Sequence, residues 1–137
     1  MADIFTPQKR SEVMSAIRSK DTKPELRVRS QLHRKGFRFR LHGRGLPGKP
    51  DIILSRYRSA IFVHGCFWHL HEGCADARLP KSRTEFWAEK LTRNVARDKR
   101  NQRELRAMGW KVIVVWECEL KNEHRAIERI QRELTGE

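Results

Sequence analysis

The segment GCFWHLHEGC, residues 65–74, combines soft metal ligands with two adjacent aromatic residues. Two cysteines flank two histidines there, and a third cysteine, Cys118, follows an apolar run far along the chain. Three thiolates and one imidazole are a ligand set typical of structural zinc, and an odd number of cysteines is a poor basis for disulfides. The predicted zinc ligands are Cys66, His71, Cys74 and Cys118. His69 is an alternative to His71 as the histidine ligand.

A second group of polar residues falls near the ends of predicted strands. Asp51 follows a glycine-containing turn in LPGKPDIIL and begins an apolar strand, and His64 ends the next strand. Glu25 lies near the start of a basic helix. Carboxylates suit Mg²⁺, which phosphate-transfer sites use to neutralise charge and activate water. An Asp/Glu/His site for Mg²⁺ is therefore predicted, against two simpler interpretations: Asp51 only ends a turn, and Glu25 only caps its helix.

The elements that position these residues are predicted to form one α/β domain over residues 1–137. A short helix is expected over residues 11–19. A second helix begins at the T-x-x-E capping box of Thr22 and Glu25 and runs to Gly36. Three strands follow, in FRFRLH, DIILS and SAIFVH, and their short connections predict a meander.

The second half of the chain repeats the alternation of helix and strand. Ser82 and Glu85 form an S-x-x-E pattern that predicts the start of a long helix ending at Gly109. KVIVVWEC is apolar on both faces and is predicted to be a buried central strand. A last helix from about Asn122 completes a mixed central sheet flanked by helices.

The charge balance points to a polyanionic partner. Lys and Arg number 30 against 17 Asp and Glu, which gives a net charge of +13. Residues 1–50 carry 13 basic and 4 acidic residues, whereas residues 101–137 carry 7 of each. Nucleic acid is favoured over a membrane surface, and the basic helix in residues 1–20 is expected to contact DNA. No signal peptide or membrane-spanning run is recognised, so a cytoplasmic protein is expected.

Five segments resemble the very-short-patch repair (Vsr) endonucleases, a family of bacterial mismatch nickases. They are MSAIRSKDTKPE, LPGKPDIIL, IFVHGCFWH, RTEFWAEKLTRNVARDKRN and GWKVIVVWECEL. The resemblance runs from about Ser11 to Leu120 and implies a restriction-endonuclease-like fold, structural zinc and a monomer. It further implies Mg²⁺-dependent nicking of DNA 5′ to the T of a T·G mismatch, which arises when 5-methylcytosine deaminates. Mismatch-repair proteins are candidate partners.

The resemblance also implies residue roles. Asp51 and the backbone carbonyl of Val63 correspond to ligands of Mg²⁺, His69 to the general base, and Glu25 and His64 to supporting residues. The rings and side chain that the family inserts beside the mismatch correspond to Phe67, Trp68, Trp87 and Met14. Many nucleases of this fold class carry a second carboxylate and a lysine on the strand after the aspartate. IFVHG has neither, so a histidine must move the proton, and an imidazole is suited to this near neutral pH.

Helical spacing adds two candidates. Trp87, Leu91, Asn94 and Asp98 share one face of the long helix. Asn94 and Asp98 are therefore predicted to orient His69 or its water. For Phe67 and Trp68 the simpler interpretation is that they fill a gap beneath the loop. Two other functions stay open: a restriction-type endonuclease that cuts intact sites, and a zinc-stabilised DNA-binding module without catalysis.

Overall fold

A computed structural model describes residues 22–136. Within that range the elements are α1 (Lys23–Arg34), β1 (Arg40–Leu41), β2 (Ile52–Leu54), β3 (Ser59–His64), α2 (Thr84–Ala107), β4 (Lys111–Trp116) and α3 (Glu123–Thr135). The helix predicted over residues 11–19, the basic segment 1–20 and Met14 lie outside the described residues.

The strands form one mixed sheet in the order β1-β2-β3-β4. The first three are antiparallel neighbours, so the predicted meander is confirmed. β4 runs parallel to β3, with Ile61 opposite Ile113 and His64 opposite Trp116. Parallel neighbours need a crossover, which here contains α2. The mixed α/β sheet with flanking helices is thus as predicted, while the restriction-endonuclease-like fold stays a prediction.

Helices cover both faces of the sheet. On one face, α1 and α3 bury their apolar stripes against the strands, and the largest core cluster forms there; its helical members are Val28, Leu32, Ala126, Ile127, Ile130 and Leu134. On the other face, Leu105 of α2 packs with Ile53, Ala60 and Phe62. None of the helices between residues 22 and 136 is both long and apolar enough to cross a membrane.

The prediction that β4 is a central strand is wrong for the described residues, because β4 is the terminal strand of the sheet. Its side chains nevertheless serve both cores. Ile113 and Val115 join the core beneath α1 and α3, whereas Val112 and Val114 pack against the core beneath α2. A strand covered on both faces shows the same apolar pattern at the edge of a sheet as in its middle.

The capping predictions had mixed outcomes. The Thr22 hydroxyl accepts a hydrogen bond from the Glu25 amide (3.4 Å), so the start of α1 is confirmed. The prediction of a capping box at Ser82 and Glu85 is wrong. The residue before α2 is Arg83, in a left-handed conformation (φ 54°), and no side chain caps it.

The strand predicted over FRFRLH is shortened to Arg40–Leu41. Gly36 ends α1 with a positive φ of 85°, and the Phe37 amide then donates to the Leu32 carbonyl (3.0 Å). This turn directs Phe37 into the core. The first residues of the predicted strand therefore complete the end of a helix.

Candidate active site and metal centre

Asp51 lies at the edge of the sheet where β2 begins and β3 ends. Its Oδ2 accepts a hydrogen bond from the Val63 amide (2.7 Å), so the carboxylate stands beside the following strand, as predicted. His64 comes next on β3 and is opposite Trp116 at the end of β4. Three neighbouring strands therefore bring polar and aromatic side chains to one edge.

Two acidic side chains face each other at this edge. The pKa of Asp51 is raised to about 8, first by burial and then by the hydrogen bond and charge of Glu25, against lowering by the Val63 amide and Arg29. Glu25 is itself 5% exposed. A hard divalent cation binds oxygen ligands, and two adjoining carboxyl groups shielded from water provide such ligands. Asp51 and Glu25 therefore fit Mg²⁺.

Glu25 contacts both the helix cap and the polar groups around Asp51. Its amide completes the cap at Thr22. Its carboxylate accepts a hydrogen bond from Arg29 Nη2 (3.0 Å) and lies 3.9 Å from His42 Nε2. The backbone of Glu25 thus takes part in the helix cap, while its side chain faces Asp51.

His64 and His69 stack against each other. Their ring centroids are 3.7 Å apart and their planes differ by 5°. His69 Nδ1 lies 2.5 Å from Asp98 Oδ2. Asp98 thus contacts His69 as predicted from helical spacing.

The environment of His64 holds it neutral. Its pKa is lowered to about 3 by burial and by the charge of His69, while Asp98 raises it. Its Nδ1 is buried and has no hydrogen-bond partner among the described residues. A nitrogen lone pair lies in the plane of its ring, so two parallel rings cannot both direct lone pairs at one ion. The group of His64, His69 and Asp98 is therefore suited to proton transfer better than to metal binding, although their ligand atoms lie within 4.8 Å of one another.

The predicted zinc ligands converge. One ligand atom from each of Cys66, His71, Cys74 and Cys118 lies within 4.8 Å of the others. His71 Nδ1 is 3.3 Å from Cys118 Sγ and 3.6 Å from Cys66 Sγ. Zinc with bonds of about 2.1–2.3 Å to nitrogen and sulfur would hold tetrahedral ligands roughly 3.5–3.8 Å apart. The four residues therefore fit a zinc ion, and His71 rather than His69 faces the thiols.

The three thiols form no disulfide, and burial opposes the ionisation of Cys66 and Cys118. It raises the pKa of Cys66 to about 12 and also raises the pKa of Cys118. The His71 ring is held from its other side by Trp116, which stacks on it at 4.1 Å with planes 9° apart. The same indole makes an edge-to-face contact with His64, with ring centroids 5.1 Å apart. Trp116 therefore lies between the metal centre and the stacked histidines, a role that the sequence analysis missed.

Phe67, Trp68 and Trp87 form an aromatic cluster with ring centroids 5.0–5.9 Å apart. Trp68 is 9% exposed, which favours for this residue the simpler interpretation that it fills a gap beneath the loop, whereas Phe67 and Trp87 are half-buried. The reason is that the loop folds Trp68 inward against α2. Phe86, which the sequence analysis missed, extends the cluster at 5.3 Å from Trp87 and is 42% exposed.

Asn94 lies on the predicted face of α2 but contacts a different partner from the one expected. Its Nδ2 donates to the Trp68 carbonyl (3.2 Å). Arg97 donates to its Oδ1 (3.3 Å). Asn94 is 7% exposed and therefore fixes the backbone of the loop, one residue before His69.

The chain is similar to known proteins along its length. The sequence model of the family described as DNA mismatch endonuclease Vsr matches residues 2–76. The type II nicking enzyme V.NmeAIP of Neisseria meningitidis is 54% identical over 132 residues, which are 96% of this chain and 94% of that protein. The type II nicking enzyme V.XorIIP of Xanthomonas oryzae is 52% identical, over 89% of each chain. The DNA mismatch endonuclease Vsr of Escherichia coli is 42% identical, over 100% of this chain and 90% of that protein. These similarities show that the chain belongs to the Vsr family of DNA mismatch endonucleases.

Proposed function

We propose that this DNA endonuclease nicks one strand of duplex DNA on the 5′ side of the T in a T·G mismatch, in repair of deaminated 5-methylcytosine. The observation that carries the proposal is a continuous series of contacts along one sheet edge. Asp51 accepts from Val63, His64 follows on the same strand, His64 stacks on His69, and His69 contacts Asp98. A carboxylate pair for a cation and an oriented imidazole thus belong to one site.

Asp51, with Glu25 beside it and the Val63 carbonyl as a further candidate ligand, would hold Mg²⁺. When bound, this ion neutralises charge on the scissile phosphate and polarises its oxygens. A binding module without catalysis has no use for two facing buried carboxylates, since each ionised form is costly to bury.

His69 is the proposed general base. The Asp98 carboxylate accepts a hydrogen bond from the Nδ1–H of His69, and this tautomer leaves Nε2 as the basic nitrogen. As the oxygen of a water molecule forms its bond to phosphorus, the water proton passes to Nε2 and the bond from phosphorus to the leaving oxygen breaks. His64, whose pKa burial lowers, supports the base by stacking on it in a neutral form.

The aromatic cluster is the proposed mismatch detector. Wedging rings into a base step costs a few kcal/mol of unstacking, and this cost is smallest at a mispaired step. Phe67 and Trp87 present part of their rings to solvent, and Trp68 must leave its buried position to enter DNA. Met14 is the proposed companion wedge. The zinc ion is proposed to hold this loop, and with it His69, in a fixed position.

Nicking of matched, T·G-mismatched and methylated duplexes, with and without Mg²⁺, tests the proposal. We expect a single cut 5′ to the mispaired T that requires Mg²⁺. Equal cutting of matched DNA would favour a restriction-type enzyme. Binding without any Mg²⁺-dependent cut would favour a DNA-binding module, and either result would reject the mismatch nickase.

A further inference from the structure

Arg29 and His42 join the two acidic side chains of the site in a closed series of contacts. Arg29 Nη2 lies 3.0 Å from Glu25 Oε2 and 3.0 Å from His42 Nε2. The His42 amide donates to the Asp51 carbonyl (3.0 Å), and the Asp51 side chain returns to Glu25 through a hydrogen bond. The series starts and ends at Asp51 and links α1 to the start of β2.

Two features of this series cost folding free energy: the burial of an ion pair and the backbone conformation of His42. The Arg29 side chain is 13% exposed and that of Glu25 is 6% exposed, so the ion pair has lost most of its water. His42 adopts a left-handed backbone conformation (φ 51°), which a non-glycine residue rarely adopts. Strained backbone of this kind persists where the surrounding contacts determine it, and it is common beside functional sites.

The contact between Arg29 and His42 has a defined direction. Arginine only donates hydrogen bonds, so His42 Nε2 is the acceptor at this contact. Arg29 then supplies the positive charge beside the carboxylates. Because Arg29 binds one oxygen of Glu25, it limits how the carboxylate can rotate beside Asp51.

We propose that Arg29 and His42 are positioning residues of the cleavage site, which hold the Glu25 carboxylate against Asp51 in readiness for the cation. This inference rests on the proposed function for its catalytic readout. The two residues act through Glu25 and Asp51, without contact with the reacting atoms.

Arg29→Met keeps the length of the side chain and removes its charge and hydrogen bonds. We expect single-turnover nicking at saturating DNA and Mg²⁺ to slow by roughly 10- to 100-fold, the usual range for residues that orient metal-binding groups. The matched control is Arg106→Met, which removes an exposed arginine near the start of β4, at the far end of the sheet. It should stay within about twofold of the wild-type rate. Wild-type nicking by Arg29→Met would overturn the proposal.

A double variant separates positioning from packing. If Arg29 acts through Glu25, Arg29→Met should cause no further loss of rate in a Glu25→Gln background. In the metal-free protein, Arg29→Met should lower the melting temperature when Glu25 is present and should lower it much less in the Glu25→Gln background. Equal losses in both backgrounds would indicate packing alone and would reject the proposal.

His42 supplies the rescue test. His42→Gln retains an acceptor for Arg29 and should nick faster than His42→Ala, and equal rates for the two would exclude His42 from the series. If the wild-type protein shows no Mg²⁺-dependent nicking, the proposed function fails. The metal-free melting temperatures would still decide whether Arg29 and Glu25 are coupled.

Discussion

The candidate metal centre and the proposed cleavage site, formed by Asp51, Glu25, His64, His69 and Asp98, lie side by side at one edge of the sheet, yet their side chains are arranged in opposite ways. At the metal centre, four ligand atoms converge and one ion would satisfy all of them. At the cleavage site, the carboxyl groups of Asp51 and Glu25 are held together. His64 stacks on His69 in a geometry that does not suit binding of one ion by both rings, and its buried Nδ1 has no partner among the described residues. The first arrangement is suited to holding a structure, and the second retains groups ready to react.

His71→Ala should produce the largest effect, because it removes a ligand from the metal centre. Structural zinc sites contribute roughly 10 kcal/mol or more of apparent binding free energy to folding. We expect loss of bound zinc, measured by elemental analysis, and a large fall in melting temperature. A chelator should destabilise the wild-type protein to a similar extent and the variant no further. A stable variant without metal would remove the structural assignment.

His69→Ala tests the cleavage site. His69 lies only two residues before His71 in the sequence. Zinc content and melting temperature should remain near those of the wild type, while the nicking rate should fall by about 10²- to 10⁴-fold, the usual contribution of a general base. Single-turnover nicking and elemental analysis on the same preparation measure both. Loss of zinc comparable to that in His71→Ala would show that the two centres are not separate.

Trp68→Ala should destabilise the protein by about 3–5 kcal/mol, because a buried aromatic ring leaves a cavity. Phe86→Ala should cost much less, since that ring is 42% exposed. Chemical denaturation measures both. The preference for T·G over T·A duplexes, measured at a temperature where both variants are folded, tests the wedge role: an unchanged preference in Trp68→Ala would exclude Trp68 from detection.

Asp51→Asn should stabilise the metal-free protein, an effect opposite in sign to the others. The folded-state pKa of about 8 lies above the usual 3.8, so the folded state binds more protons than the unfolded state between these values. The wild-type protein therefore loses stability as the pH rises from about 4 to about 8. Asparagine mimics the protonated form, so the gap in melting temperature should widen over that window. A gap that stays constant with pH would contradict this account.

The metal centre was more predictable from sequence than the rest of the site. Three cysteines and a histidine have few alternative uses in a chain of this kind. Helical spacing suggested both Asp98 and Asn94 as partners of His69, and of these Asp98 contacts it, whereas Asn94 donates to the Trp68 carbonyl. The burial of Trp68 was not predictable, because it depends on how the loop folds against α2. Arg29 and His42 meet only through the pairing of β1 with β2, and a single sequence with 30 basic residues does not distinguish one of them.

The capping-box prediction for α2 was wrong because another hydrogen bond forms at the same place. Ser82 and Glu85 have the spacing of a capping box, but the Thr84 hydroxyl donates to the carbonyls of Pro80 and Lys81, and α2 begins there without a side-chain cap. The apolar pattern of β4 correctly predicted packing on both faces, with Ile113 and Val115 buried and Val112 and Val114 partly buried. It did not predict the position of the strand in the sheet, since that depends on which strands pair.

His69 lies in the chain between two proposed zinc ligands, Cys66 and His71. It belongs to a loop that carries Cys66 and Cys74 at its ends, and the remaining thiol, Cys118, follows β4, which pairs with β3. On the proposed assignment, a chain that has not yet taken up its metal lacks a fixed base and has little capacity to cut. On that assignment, newly made protein would become a nuclease only once its loop is held by metal, which would protect intact DNA from immature enzyme.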